Sequence, residues 1–228
     1  MSKHFFRYIK MQSQTEENYL KIIYHLSRLS PGPVQTNAIA DRTQTKPASV
    51  SDMVKKLAEK QLVNYVKYQG VTLTDKGQVT AVNIIRKHRL WEYFLVNTLN
   101  FKWDEVHEIA EELEHVNSKL LVERLDKFLG YPKHDPHGDP IPDHNGNIEE
   151  PTVITLNKLQ PGEKGIIVGV SEHSSSFLKY LEKTMLTLGA SLQMVEVTEF
   201  DGSVDLILAD KKINISRDVA KHLLMKPA

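Results

Sequence analysis

The chain has 228 residues with 40% hydrophobic content, enough to bury a core in one large or two modest domains. It contains no cysteine, which excludes disulfides and thiolate metal ligation. The formal net charge is zero, and there is neither an apolar run of about 18 residues nor a signal peptide, so we expect a soluble, cytoplasmic protein with no membrane partner.

Charge is uneven along the chain. Residues 1–76 hold 12 Lys and Arg against 6 Asp and Glu, whereas residues 77–150 hold 8 against 14. A basic first third and an acidic middle indicate a polyanion partner at one end and a cation partner in the centre.

Three helices are predicted in the first 60 residues. Residues 1–11 match no clear element and are interpreted either as a flexible extension or as the result of a mis-called start codon. A helix follows with Thr15 as its predicted N-cap, and the Ser-Pro-Gly-Pro stretch at residues 30–33 ends it. Its apolar residues recur at helical spacings of three and four: Tyr19, Ile22, Ile23, Leu26 and Leu29. A short helix capped by Thr36 and a longer one over residues 47–60 come next.

The second and third helices, joined by a tight turn, predict a helix-turn-helix unit. Residues 62–66 and 71–74 then predict two strands around a basic hairpin tip, and this order of elements is typical of a winged helix that binds DNA. Lysines would neutralise phosphates, and small side chains of the third helix would reach base edges. The candidate DNA-contacting residues are Lys46, Pro47, Ala48, Ser49, Ser51, Asp52, Lys55, Lys56 and Lys67.

The middle of the chain carries metal-binding residue types at helical spacing. His88 and Glu92 are four positions apart and therefore meet on one helix face. In the next segment four further groups fall within an arc of about 100°, beside an apolar stripe. These groups are His107, Glu111, Glu114 and His115. Imidazole and carboxylate donors without cysteine favour manganese, iron(II) or zinc over copper(I) or an iron-sulfur cluster.

The last third is predicted to be separate from the helical part. A segment rich in Pro, Gly, His and Asp over residues 131–151 indicates a linker. Beyond it the pattern predicts strands at residues 165–170, 192–197, 204–208 and 211–215. A helix over residues 174–188, ended by Gly189, interrupts them.

Several segments in the same order resemble the DtxR/MntR family of metal-dependent repressors. They are residues 15–24, 47–54, 70–77, 86–90, 111–115 and 135–142, so the resemblance spans nearly the whole chain. It implies a mainly α fold with α+β parts: a winged helix (1–75), a helical metal-binding and dimerisation domain (76–130), the linker, and a small FeoA-type, SH3-like β-barrel (152–228). The implied function is that of a homodimer, not an enzyme, that binds double-stranded operator DNA and represses metal-uptake genes when Mn(II) or Fe(II) is bound.

The resemblance also implies two metal sites. The primary site would comprise Asn18, Glu111, Glu114 and His115, and the ancillary site His88, Glu92 and His107. A further ancillary ligand would come from the linker through Asp135 or His137, or from the barrel through Glu172 or His173. Glu111 stands where iron-responsive members have cysteine, which resembles the manganese-responsive branch. Zn(II) is expected to bind in vitro because it exceeds manganese and iron(II) in the Irving-Williams order.

The implied mechanism is that one cation couples the helix of Asn18 to the acidic helix of the middle domain. Metal would then select a dimer whose recognition helices lie about one DNA turn, near 34 Å, or a simple multiple of it apart.

Two other readings stay open. A winged-helix regulator could sense a non-metal ligand, with the acidic helix merely solvated. A carboxylate-bridged di-metal enzyme would need two Glu-x-x-His repeats on separate helices, and only residues 112–115 fit. A zinc protease motif would require a histidine at position 111, where this chain has Glu111. The sequence also has no nucleophile triad and no phosphate-binding glycine loop.

Overall fold

The computed structural model describes residues 13–149 and 151–227. Residues 1–11, for which a flexible extension was one interpretation, lie outside the described residues. The chain divides into two compact units, residues 1–85 and residues 86–228. No helix within the described ranges combines the length and the apolarity needed to cross a membrane.

The first unit has the predicted winged-helix order. Its elements are α1 (Gln14–Leu29), α2 (Thr36–Thr43), α3 (Pro47–Glu59), β1 (Val63–Val66), β2 (Gly70–Leu73) and the start of α4 (Asp75–Asn97). The two strands pair antiparallel, with Val63 opposite Leu73. The three helices and the hairpin share one core, whose fully buried members include Leu20, Ile23, Ile39, Val50, Val54, Leu57, Leu62 and Val71. Of the apolar face predicted for the first helix, Tyr19 and Ile23 are buried, whereas Leu29 at its end is 78% exposed, so that part of the prediction was wrong.

The predicted N-cap of the first helix was wrong by two residues. Ser13, not Thr15, caps α1, because Ser13 and Glu16 form a reciprocal capping box. The Glu16 N–H donates to Ser13 Oγ at 3.3 Å, and the Ser13 N–H donates to Glu16 Oε2 at 3.0 Å. At the start of α4, the Thr74 hydroxyl accepts from the Gly77 N–H at 3.1 Å.

The helical part of the second unit consists of the end of α4 with α5 (Val106–Leu113) and α6 (Lys119–Phe128). A small core forms around Leu90, Leu125 and Ile141. Arg86 and Asp126 pair across it, with both side chains largely buried. α5 ends at Leu113, so Glu114 is its C-cap and His115 lies past its end, whereas a single helical arc was predicted for all four ligand candidates.

The C-terminal part of this unit is a six-stranded antiparallel sheet. Its elements are β3 (Ile154–Thr155), β4 (Lys164–Val170), α7 (Ser175–Lys183), β5 (Ser191–Val197), β6 (Val204–Leu208), β7 (Lys211–Ile215), α8 (Arg217–Ala220) and β8 (Leu223–Pro227). The strand order is β3-β8-β4-β5-β6-β7. The four predicted strands are confirmed to within a residue, and β3 and β8 were not predicted. The predicted helix over residues 174–188 was too long, because Met185 adopts a left-handed conformation with φ of 60°.

The predicted linker contains a tightly folded loop. His134 bridges Pro140, and the Ile141 N–H donates to the Lys133 carbonyl at 2.8 Å. The Val170 N–H donates to the His137 carbonyl at 3.0 Å and so fastens the loop to β4. Two predicted ligand candidates, Asp135 and His137, are buried in it.

Candidate metal centre and nucleic-acid interface

The helical spacing of α4 brings His88 and Glu92 together as predicted. His88 Nε2 lies 3.0 Å from Glu92 Oε1, and both residues are buried. His107, from α5, places Nδ1 3.4 Å from the same carboxylate oxygen while half of its side chain stays exposed. One ligand atom from each of the three lies within 4.8 Å of the others. The residues assigned to the ancillary site therefore form one cluster.

The other nitrogen of His88 faces a second carboxylate. His88 Nδ1 lies 2.6 Å from Glu114 Oε2, and Glu114 is fully buried. Together with Glu111, these residues make a second group of possible ligand atoms within 4.8 Å. His115 Nε2 lies 3.8 Å from the other oxygen of Glu114. Three residues predicted for the primary site are thus adjacent, and His88 joins them to the ancillary cluster.

Asp135 and His137 from the folded loop meet Glu92 and form a third group within 4.8 Å. The His137 Nε2–H donates to the Trp103 carbonyl at 2.8 Å, while Nδ1 lies 3.5 Å from Glu92 Oε2. Within the described part of the chain this buried Nδ1 makes no hydrogen bond. Buried polar atoms are normally paired, and a ligand histidine is typically held through its other nitrogen by a carbonyl. The arrangement fits a metal site.

Ionisation within this third group is strongly perturbed. Burial raises the pKa of Asp135 to about 7, and the charges of Asp139 and Glu92 add to that increase. Burial alone would lower the pKa of His137, but Glu92 and Asp135 raise it to about 9. Burial likewise opposes ionisation of Glu92, yet the three surrounding imidazoles hold its pKa well below its usual value. The metal-free cluster therefore retains protons that a divalent cation would have to displace.

Arg89, which the sequence analysis did not assign, holds the loop from the α4 side. Its guanidinium donates a hydrogen bond to the Pro140 carbonyl. The same group lies 3.3 Å from Asp139 Oδ2 and 3.7 Å from Asp135 Oδ2. Trp103 was also missed. It contacts His137 through its backbone carbonyl and through a ring centroid 6.1 Å away, and residue type alone does not indicate either contact. One signal in the sequence could have identified Arg89: it lies next to His88, within residues 86–90, a segment that resembles the DtxR/MntR family.

The two barrel candidates differ. The His173 ring stacks on that of His137 at 4.8 Å, and its Nε2 lies 4.0 Å from Asp139 Oδ2. Glu172 instead accepts a hydrogen bond from the Ser174 N–H at 2.9 Å. Among the described residues, neither belongs to any of the three ligand groups.

Asn18, the remaining predicted ligand, lies in the first turns of α1 in the first unit. Its Oδ1 is buried and accepts no hydrogen bond from the residues that the structure describes. A buried carbonyl oxygen without a donor is suited to a cation, so the role of Asn18 stays a prediction that this observation supports.

The predicted DNA-contacting residues line the exposed side of α3 and the tip of the hairpin. Lys46 is the N-cap of α3, and Lys67 Nζ sits 4.9 Å from the Tyr68 ring centroid at the tip. The exposed helix residues of this set are Pro47, Ala48, Ser49, Asp52, Lys55 and Lys56. Several of these side chains have protein partners in the structure. Ser51 Oγ donates to the Pro47 carbonyl at 3.0 Å, Lys56 Nζ lies 3.1 Å from Glu16 Oε1, and Lys55 Nζ lies 3.3 Å from Asp52 Oδ1.

Family models match three consecutive parts of the chain. The N-terminal DNA-binding domain of iron-dependent repressors matches residues 11–71. The metal-binding and dimerisation domain of the same repressors matches residues 74–143. The FeoA domain matches residues 154–227.

The curated relatives of the chain include transcriptional regulators. The iron-dependent repressor IdeR of Mycobacterium tuberculosis is 37% identical over 128 residues, covering 56% of this chain and 55% of IdeR. The match thus spans about half the length of IdeR. The HTH-type transcriptional regulator MntR of Oceanobacillus iheyensis is 33% identical over 125 residues, covering 55% of this chain and 84% of MntR.

Solved structures match over most of the chain. A manganese-dependent transcriptional repressor in complex with manganese has a TM-score of 0.84 and 33% identity, covering 93% of this chain and 100% of its own. ScaR with bound Zn²⁺ has a TM-score of 0.76 and 33% identity, covering 93% and 99%.

Proposed function

The chain belongs to the family of iron- and manganese-dependent transcriptional repressors, and on that premise we propose that it binds operator DNA when divalent cations occupy its buried cluster. By doing so it would control genes of metal homeostasis. The relatives named above are transcriptional regulators, and this role is consistent with the exposed helix α3 and the basic hairpin tip.

The proposal depends on one observation: many carboxylate and imidazole groups that could bind a cation are buried close together. Glu92 faces three imidazoles, and the Nδ1 of His137 lies beside it without a hydrogen bond from any described residue. Burying so many ionisable groups is costly unless they are paired or coordinate a cation. Glu92, Asp135 and His137, with His88 and His107 beside them, would hold one cation.

Glu111, Glu114 and His115 would hold a second cation, and Asn18 remains the predicted fourth ligand. A bound divalent cation would supply the positive charge that offsets repulsion among the carboxylates. The Trp103 carbonyl keeps the His137 ring oriented, and Arg89 keeps the Asp135 loop against α4. These contacts would preorganise the donors before binding.

We propose manganese(II) or iron(II) as the activating metal. The donor set is carboxylate oxygen and imidazole nitrogen, and the carboxylate at Glu111 makes the second group hard enough for manganese. Zinc would bind more tightly in a test tube without being the cellular signal.

A homodimer is part of the proposal, because operator sites read by helix-turn-helix proteins usually consist of two half-sites. Helix α6 exposes large apolar side chains, including Leu120 at 59% and Phe128 at 69% of their surface. Exposed apolar residues on one short helix are typical of a protein interface.

The test is a mobility-shift titration on the DNA upstream of the protein's own gene, in chelator and at buffered free manganese, iron(II) and zinc. We expect operator affinity to rise at least about fivefold with manganese or iron(II). The variant Glu114→Ala/His115→Ala is expected to lose that increase. Equal affinity in chelator and excess metal would refute the proposal, and a metal response unaffected by the double substitution would refute the assigned ligands.

A further inference from the structure

A fully buried carboxylate ties the first turn of α1 to the end of α3. The side chain of Glu16 is 0% exposed. Lys60 Nζ, at the C-cap of α3, lies 2.7 Å from both of its oxygens, and Lys56 Nζ lies 3.1 Å from Oε1. Glu16 and Lys60 are 44 positions apart, so this contact joins two helices rather than closing a turn.

The capping role of Glu16 does not require its charge. A Glu or a Gln at this position can accept from the Ser13 N–H, because the capping box needs only a side-chain oxygen. A buried carboxylate, by contrast, is costly unless opposite charges satisfy it. The negative charge of Glu16 is therefore needed for its ion pairs with Lys60 and Lys56. These ion pairs fix the start of α1 against α3.

The two joined elements carry different predicted functions. Asn18, whose buried Oδ1 accepts no hydrogen bond from the described residues, lies two positions after Glu16 in the same region of α1. Helix α3 carries the predicted base-contacting residues, including Ser49. Closely packed and charge-paired elements move together rather than independently. A displacement of the first turn of α1 would be passed to α3 through Glu16 and Lys60.

We propose that Glu16 is a positioning residue that couples cation capture through Asn18 to the placement of the recognition helix α3. It neither binds the metal nor touches DNA, but acts through Lys60 and Lys56. This inference rests on the proposed function, because it presupposes metal-dependent operator affinity.

The experiment measures a coupling ratio, the operator Kd in chelator divided by the Kd in saturating manganese, by fluorescence anisotropy on the full chain. We expect Glu16→Gln to lower this ratio at least about fivefold relative to the wild type. The manganese affinity of the DNA-free protein should change by less than about twofold, whereas a helix that is merely loosened would lose it. By reciprocity, the gain in manganese affinity on adding operator should fall by the same factor as the ratio.

Three variants control for charge and folding. Glu59→Gln removes an equal charge from an exposed position at the end of α3, next to Lys60, and should leave the ratio unchanged. Lys60→Gln should lower the ratio although it shifts net charge in the opposite sense, and Lys60→Arg should preserve it. If Glu16→Gln folds poorly, the coupling ratio of Lys60→Gln decides whether the coupling role holds.

The possible outcomes separate the two proposals. A wild-type ratio near one would refute the proposed function itself. A clear wild-type ratio that both Glu16→Gln and Lys60→Gln retain within about twofold would overturn the coupling role alone. The coupling role would also be overturned if manganese affinity without DNA fell while the ratio was preserved.

Discussion

Replacing Gly138 by alanine tests how the loop that carries Asp135 and His137 is held against the C-terminal sheet. Gly138 has φ of +89°, and an added Cβ would lie 2.2 Å from the Val168 carbonyl oxygen and 2.4 Å from Gly169 Cα. Real Cβ atoms essentially never approach closer than 3.0 Å. The loop that carries Asp135 and His137 must therefore move away from β4.

The magnitude follows from two terms. Alanine in a left-handed conformation costs about 1–2 kcal/mol. Moving the loop also breaks the 3.0 Å hydrogen bond from the Val170 N–H to the His137 carbonyl, which costs about 1–3 kcal/mol when a buried partner is left unsatisfied. We expect the free energy of unfolding to fall by roughly 3 kcal/mol. Displacing the supporting contacts of a ligand should weaken manganese binding by about tenfold or more.

Gly130→Ala is the matched control. Gly130 also has positive φ, at +75°, but an added Cβ would meet no atom within 4 Å. This substitution should cost about 1–2 kcal/mol and leave manganese affinity unchanged. Urea denaturation followed by circular dichroism and a manganese titration measure both quantities. Similar losses of stability in the two variants, within about 0.5 kcal/mol, or unchanged manganese binding in Gly138→Ala, would refute the reasoning.

Three further predictions address the metal cluster and the DNA surface. Glu92→Gln should weaken manganese binding by about tenfold or more, measured by paramagnetic resonance of the free ion; the exposed Glu112→Gln should not, and equal effects would contradict the assignment. Since the raised pKa of His137, about 9, lies above neutrality, protons compete with the cation. Manganese affinity should therefore rise as pH increases toward that value, by up to about tenfold per unit, with proton release in calorimetry; a flat profile would argue against His137 as a ligand. Lys55→Ala should reduce the slope of log Kd against log salt by about one; an unchanged slope would exclude a phosphate contact.

The winged helix was predictable because its signals are local. Helical spacing placed Tyr19 and Ile23 on the apolar face of the first helix, and both are buried. The cap of α1 was misassigned because Thr15 and Ser13 are both favoured N-cap residues. The reciprocal bond from Glu16 distinguishes them, and Ser13 is the one placed three positions before a glutamate.

The cluster of candidate metal ligands was predictable in its helical part and only loosely in its loop part. His88 and Glu92 meet because four residues make about one turn of helix. Asp135 and His137 come from a segment whose composition indicated a linker. Their burial depends on the backbone bond between His137 and β4, a contact that no local pattern encodes.

The C-terminal sheet shows the same distinction. Strand β8 was missed because its residues are recognisable only by pairing with β3 and β4. The length of α7 was overestimated because Leu186 continues the helical apolar spacing. Leu186 is fully buried, but it follows the left-handed Met185 and so reaches the core from beyond the helix.

The indole of Trp103 lies beside the ring of His137, and its own carbonyl anchors that ring. The chain has one other tryptophan, Trp91, which packs edge-on against Phe94. Replacing Trp91 by phenylalanine would leave Trp103 as the single tryptophan, beside the proposed ligand. Emission from that tryptophan could follow cation arrival in real time, without dyes, labels or DNA.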